Sequence, residues 1–141
     1  MTIKLVVKGI SAALKRNDVR SKALRAAWPR AIHRTLTDVF ERVQAAFESS
    51  GPGWKPLAAR TLAWKRKHGY SSKPLIRRGA FRQGWDIAVS GTKGRLKSHV
   101  NYGAYHQAGT RHLPKRPVVP KDATLQQILR FHVRAFVQGA L

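Results

Sequence analysis

The sequence predicts an α+β domain, with N-terminal helices and a C-terminal helix packed on a small, mainly antiparallel sheet. Three observations carry this: a helical apolar stripe from Ile32 to Phe47, an alternating stretch between Trp85 and Val100 that holds several glycines, and a second helical stripe from Leu125 to Phe136. The 141 residues, 43% of them hydrophobic, suffice for one self-supporting core. No repeat or compositional break divides them, so a single domain over 1–141 is expected.

The chain opens with TIKLVVK, where Ile3, Leu5 and Val7 alternate with polar partners as in a half-buried strand that Gly9 ends. Asn17 or Asp18 suits the cap of a short helix through Ala27, and Pro29 the first turn of the next. In that second helix Ile32, Leu36, Val39, Phe40, Val43 and Phe47 recur every three or four residues, leaving Arg34, Asp38, Glu41 and Arg42 off the stripe and exposed. The run Ser49-Ser50-Gly51-Pro52-Gly53 stops it.

Thr61–His68 reads as a short helix and Gly69–Lys73 as a loop, with Trp54, Trp64 and Trp85 at core spacing. Trp85, Ile87 and Val89 alternate on one strand of a hairpin. Leu96 and Val100 share a face of the other, and Ser90–Gly94 forms the turn. Gly103–Gly109 fits one helical turn, and Pro114, Pro117 and Pro120 impose an extended path. The last helix starts near Asp122 or Thr124, where Thr124 and Gln127 match a capping box. It buries Leu125, Ile128, Leu129, His132 and Phe136, with His132 a hydrogen-bonded core residue.

Charge is the outlying property. Twenty-eight Lys and Arg face six Asp and Glu, a formal +22 that calls for an acidic neighbour, nucleic acid first among them. Residues 52–116 hold fifteen of those cations and one acid, Asp86. The absence of cysteine excludes disulfides, thiolate metal sites and cysteine nucleophiles, and it suits a reducing cytoplasm. Apolar runs fall far short of the roughly 20 residues that span a bilayer, and the basic start reads as a strand and not a targeting segment.

Catalytic patterns are wanting. Four of the six acids lie between Asp18 and Glu48 on faces expected to be exposed; Asp86 stands alone, and Asp122 is a helix cap. That spacing does not suit paired-carboxylate or two-metal chemistry. His99, His106 and His112 cluster in sequence without acid or cysteine partners, which favours surface histidines over a metal site. A metal-independent ribonuclease resting on those three is the one enzymatic reading left. The GTKG and GPG segments lack the strand-to-helix setting of a phosphate loop and read as turns. No helix-turn-helix or zinc-finger pattern offers sequence-specific DNA reading.

An ordered set of landmarks runs through residues 51–120. Gly51, Gly53, Trp54, Pro56 and Leu57 come first, then Thr61 and Lys65, then Pro74-Leu75-Ile76 with Gly79 and Phe81. Asn101-Tyr102-Gly103-Ala104-Tyr105-His106-Gln107 with Gly109 follows, and Arg116-Pro117 closes the series. This order resembles the phage virion morphogenesis family, the tail-completion or neck proteins of Mu-like and other long-tailed bacteriophages. Phe81 stands where that family tends to have Leu, Val118 replaces an aromatic, and either Tyr102 or Tyr105 fills the motif's tyrosine position.

The resemblance implies a structural virion protein with no active site and no cofactor, which joins head to tail or completes the tail as a six-fold ring around the DNA channel. Its motif and interface candidates would be Trp54, Leu57, Thr61, Gly79, Tyr102, Tyr105, His106, Gln107, Gly109, Arg116 and Pro117. Implied partners are further copies of the chain, neighbouring head-connector and tail-tube proteins, and duplex DNA held without sequence preference, with no membrane. Its place would be the virion, after assembly in the host cytoplasm. Six copies at +22 each carry +132. A domain about 35–40 Å across encircles only about 20–25 phosphates. Most of that charge must therefore meet solvent or acidic partner surfaces. A nonspecific nucleic-acid-binding protein outside any virion is the alternative reading.

Overall fold

The computed structural model describes residues 1–6 and 19–139. In chain order these form strand β1 (Thr2–Val6), helices α1 (Val19–Glu48), α2 (Ala59–Lys67) and α3 (Ala80–Gln83), strands β2 (Trp85–Ser90) and β3 (Lys93–Ser98), and helices α4 (Gly103–Ala108) and α5 (Asp122–Gln138). The class is α+β, with a three-stranded antiparallel sheet ordered β1-β3-β2 and N- and C-terminal helices packed on it. Contacts divide the chain into two units: Thr2–Val39, Ile87–Leu96 and Pro120–Leu141 form one, and Met1, Phe40–Asp86 and Lys97–Val119 the other. No helix among the described residues is long and apolar enough to cross a membrane.

In the first unit the core comprises Ile3, Trp28, Ile32, Leu36, Leu96, Leu125 and Leu129, with small Ala27 and Ala31 between the large side chains. Strand β3 buries alternate positions Gly94, Leu96 and Ser98 and exposes Lys93, Arg95 and Lys97, as the two-residue period of a strand requires. Gly94 was expected in the turn. It lies instead inside β3, where a Cβ would run into Ile32 Cγ2 and stand 2.9 Å from Leu36 Cδ1. Only glycine lets the strand come this close to α1. The turn itself is narrower than expected, Gly91 and Thr92 alone, with Gly91 at φ 55. Val100 lies beyond the end of β3, half-buried.

Helix α1 corrects the sequence reading most. A helix ending at Ala27 and a new one starting at Pro29 were expected; α1 runs unbroken from Val19 to Glu48 with Pro29 inside it. Burial overrides the local signal: Ala27, Trp28, Ala31, Ile32, Thr35 and Leu36 are buried on both sides of the proline, so a break would expose one continuous face. Thr35 is satisfied within the helix, its hydroxyl donating to the Ala31 carbonyl at 2.7 Å. The expected caps Asn17 and Asp18, and the strand positions Val7 and Lys8 with Gly9, lie outside the described residues.

Helix α5 buries Leu125, Ile128, Leu129 and His132 as its spacing predicts, while Phe136 is half-buried with the Arg30 guanidinium 5.9 Å from its ring. The helix begins at Asp122, one of the two expected starts, but the capping differs: Lys121 holds the cap position in place of Asp122, Thr124 falls in the first turn, and no side chain caps the helix. The capping box with Gln127 is therefore not formed, and Asp122 in the first turn faces the positive end of the helix dipole. Asp38, expected on an exposed face, is partly covered; it accepts from His132 Nε2 at 2.7 Å and pairs with Arg34 at 3.2 Å. His132 is thus the hydrogen-bonded core residue its position predicts.

In the second unit the core is aromatic. Phe47 meets Trp54 and Phe81 edge-on, with ring centroids 6.4 and 5.2 Å apart, and Phe81 stacks on Trp85 at 5.9 Å. The Trp85 indole donates to the Phe81 carbonyl at 2.7 Å, which fixes the short α3 against the start of β2. Glu48 at the end of α1 pairs with Lys73 at 2.5 Å and Arg82 at 2.6 Å. Those two cations, Lys73 first, hold its carboxyl below the usual range.

Candidate functional site

The loops of the second unit carry little regular structure, so side chains must satisfy their backbone groups. Three residues do most of this. The Arg116 guanidinium donates through Nε and Nη2 to the Lys55 carbonyl at 3.1 and 2.8 Å, and through Nη2 to Pro56 at 3.3 Å. The Gln107 amide accepts from the Val118 and Val119 N–H groups at 3.0 and 3.1 Å and donates to the Val119 carbonyl at 3.1 Å. The Trp54 indole donates to the Pro117 carbonyl at 3.0 Å. Gly51, at φ +75, leaves room for the Trp54 ring, which a Cβ would strike. The Arg116 and Trp54 bonds join segments 60 to 63 residues apart, while those of Gln107 close a loop of 11 or 12.

Lys65 makes a fourth tie. Its side chain is buried, and Nζ donates to the carbonyls of Lys73 and Ile76, each at 2.6 Å. Those two carbonyls flank Leu75, which holds φ 61, a left-handed backbone that costs a non-glycine residue about 1 kcal/mol or more. The ammonium pins the turn in this conformation. Burial, with the Arg116 charge second, pushes the Lys65 pKa below its ordinary value, and burial lowers that of Arg116 as well.

Around these ties lies an open cleft of about 590 Å³. Its apolar wall is built by Leu57, Leu75 and Phe81, and its donors include Lys65, Arg116 and Thr61. No Asp or Glu lines it. His106 lies at its inner side, 6.3 Å from the Phe81 ring and 6.0 Å from Tyr102. Its Nδ1 is buried without a hydrogen-bond partner. Burial and then the Arg116 charge hold its pKa below the ordinary 6.5, so the ring favours its neutral form.

Trp64 departs from the sequence reading. It was expected at a core position and is 42% exposed at the rim of the cleft. Three neighbours crowd its indole: His68 at 4.5 Å, Tyr70 at 5.5 Å, and the Arg77 guanidinium 5.1 Å from the ring. Hydrogen bonds from Arg77 and Arg78 lower the Tyr70 pKa.

The structure brings most of the motif candidates together in this unit. Leu57, Thr61, Gly79, Tyr102, His106 and Arg116 line the cleft. Trp54, Gln107 and Pro117 form the ties beside it, and Gly109, at φ +78, gives the Lys115 backbone room to pass. Tyr102, 46% exposed, contacts Phe81 and His106 at the cleft, whereas Tyr105 is 59% exposed and outside it. Of the other histidines, His99 pairs with Asp86 at 2.6 Å on the surface, so that acid is not isolated as expected, and His112 lies on an exposed loop. Among the described residues no group of three or more His, Cys, Asp or Glu could hold a metal ion. The contributions of Arg77, Arg78 and the strained Leu75 escape the sequence reading, since a positive φ at leucine leaves no compositional mark.

No known family model, curated protein or solved structure matches the chain.

Proposed function

We propose that this chain is a structural virion protein of a tailed bacteriophage, one that completes the tail or joins head to tail as a six-fold ring around the DNA channel. The observation that supports the reading is the loop framework. Trp54, Gln107 and Arg116, spread over some sixty residues and taken from the segment that resembles neck proteins, are three of the four side chains that tie the loops, with Lys65 the fourth. A joining protein must present loops of fixed shape to its neighbours, and such ties remove the entropic cost of ordering them at docking.

Charge supports the same role. At +22 the surface suits DNA in a channel and acidic faces on head-connector and tail-tube proteins. The proposal includes no catalytic step and no cofactor, and it places the protein in the virion after assembly in the host cytoplasm.

The test is deletion of this gene from its phage genome, followed by electron microscopy of the lysate. DNA-filled heads beside unattached tails are the expected result. Normally joined particles would overturn the proposal and move nonspecific nucleic-acid binding outside the virion to first place.

A further inference from the structure

The geometry points to the cleft as a docking site for a carboxylate-bearing peptide segment of an acidic partner protein, with the carboxylate held by Lys65, Arg116 and Thr61 and its apolar flanks against Leu57, Leu75 and Phe81. The donor supply is the first argument. Lys65 and Arg116 are both buried, yet every bond they make goes to a backbone carbonyl and no acid lines the cleft. Two buried cations that meet no carboxylate, with the exposed Arg77 and Arg78 on the same lining, make the cleft favourable for an anion. The orphaned His106 Nδ1 and the left-handed Leu75 are two further groups kept at a cost within the same cleft.

The shape of the cleft selects among anions. Its apolar wall suits a peptide's side chains, whereas a sugar-phosphate backbone stays hydrated and gains nothing from leucine and phenylalanine. The two exposed aromatics that line the cleft already have ring partners: Trp64 is crowded by His68, Tyr70 and Arg77, and Tyr102 meets Phe81 and His106 edge-on, so a stacking base would compete with contacts already made. A peptide carboxylate with apolar neighbours meets both requirements, since cations and apolar side chains line the same cleft.

A second copy of the chain is a poor source. It offers six acids against twenty-eight cations, and of the described ones Asp38, Glu48 and Asp86 already pair within their own chain, which leaves Glu41 and Asp122 on a surface that repels its own kind. A different, acidic protein fits the charge balance. The assignment rests on the neck reading only for where such a segment would come from; the chemistry of the cleft stands without it.

Isothermal titration calorimetry on the full chain at 0.15 M salt tests the inference. The probe is an acetylated and amidated hexapeptide, Leu-Glu-Asp-Leu-Glu-Phe, compared with its amide counterpart Leu-Gln-Asn-Leu-Gln-Phe and with a thymidine hexanucleotide. The acidic peptide should bind at least about tenfold more tightly than the amide peptide, the loss expected when charge-assisted bonds become neutral ones. Lys65→Gln should remove that preference. Because that change also disturbs a structural tie, Thr61→Glu is the second variant: Thr61 is exposed on α2 and lines the cleft, and a carboxylate there repels the incoming one. Arg130→Ala, exposed on α5, should leave the affinity within about twofold.

Equal binding of the two peptides, or a loss with Arg130→Ala as large as with Thr61→Glu, would reduce the effect to bulk charge and overturn the assignment. Tighter binding of the hexanucleotide, with the same sensitivity to Thr61→Glu, would overturn it in favour of nucleic acid. Failure of the peptide test beside unattached tails in the deletion lysate would remove the cleft assignment and leave the neck reading intact. Peptide binding beside joined particles would do the reverse.

Discussion

Gly94→Ala tests the seating of α1 on the sheet. A methyl group at this position would stand 2.9 Å from Leu36 Cδ1 and closer still to Ile32 Cγ2. Carbon atoms prefer about 3.5–4.0 Å, so the overlap with Leu36 alone is about 0.6–1 Å. Both neighbours are fully buried in the middle of α1, so relief requires a shift of the helix. Overpacking of this kind costs about 1–3 kcal/mol, and the lost flexibility of glycine in the unfolded chain returns about 0.4–1 kcal/mol. The net runs from about 0 to about 2.6 kcal/mol of destabilisation, or up to about 10 °C in Tm for a domain of this size.

Urea and thermal denaturation would measure it, read as a double-mutant cycle with Ile32→Ala. That second change alone should cost about 2–5 kcal/mol, and in its background the penalty of Gly94→Ala should shrink or reverse, a coupling of about 0.5–3 kcal/mol. A single Gly94→Ala more stable than the parent, additive with Ile32→Ala, would refute the contact between α1 and the central strand.

Three further changes probe other parts of the fold. Lys65→Met removes both donors from the Lys73 and Ile76 carbonyls. After the relief of burying an ammonium it should cost about 2–4 kcal/mol in urea and speed proteolytic nicking within 69–79; unchanged stability would dismiss Lys65 as the pin of Leu75. His106 carries a pKa lowered by burial and by Arg116, so below about 6.5 the unfolded chain takes up its proton first and stability falls with pH toward the folded-state value. His106→Leu should flatten that fall by up to about 1.4 kcal/mol per pH unit between pH 7.5 and 5.5, and parallel profiles would remove burial as the cause. Pro29→Ala restores a backbone N–H inside α1 and should stabilise by about 1–2 kcal/mol in a thermal melt, whereas a lower Tm would make the proline ring a packing element.

The parts of the fold that sequence foretells are those where burial and periodicity agree. The stripe from Ile32 to Phe47, the alternation of β2 and the buried face of α5 each repeat one pattern long enough to leave one solution. The errors fall where a local signal competes with tertiary burial. Pro29 favours a helix start and Gly94 a turn, yet each is overruled by the same core, on either side of the contact between Ile32 and the middle strand. The cleft was legible only as an order of residues. Trp54, Gln107 and Arg116 could be singled out, but their roles are bonds to backbone carbonyls and amides, which no side-chain spacing encodes. Asp38 and His132 illustrate the same limit, since ninety-four positions separate two residues whose pairing depends on how α5 crosses α1.

Electrostatics sets the order of events for a chain with this charge. Among the described residues, folding already engages Asp38, Glu48 and Asp86 in pairs with cations of the same chain. With twenty-eight Lys and Arg against six acids, most of the cations cannot find a carboxylate within the chain. Two copies meeting face to face bring those charges closer than the Debye length of about 8 Å at physiological salt, where screening by ions is weakest. A ring of like-charged subunits therefore needs its counter-charge from elsewhere, from DNA along the channel or from an acidic neighbour. On the proposed reading, the subunits close their ring on those partners and not ahead of them, and each carboxylate bound in the cleft would lower the net charge that a neighbouring copy meets.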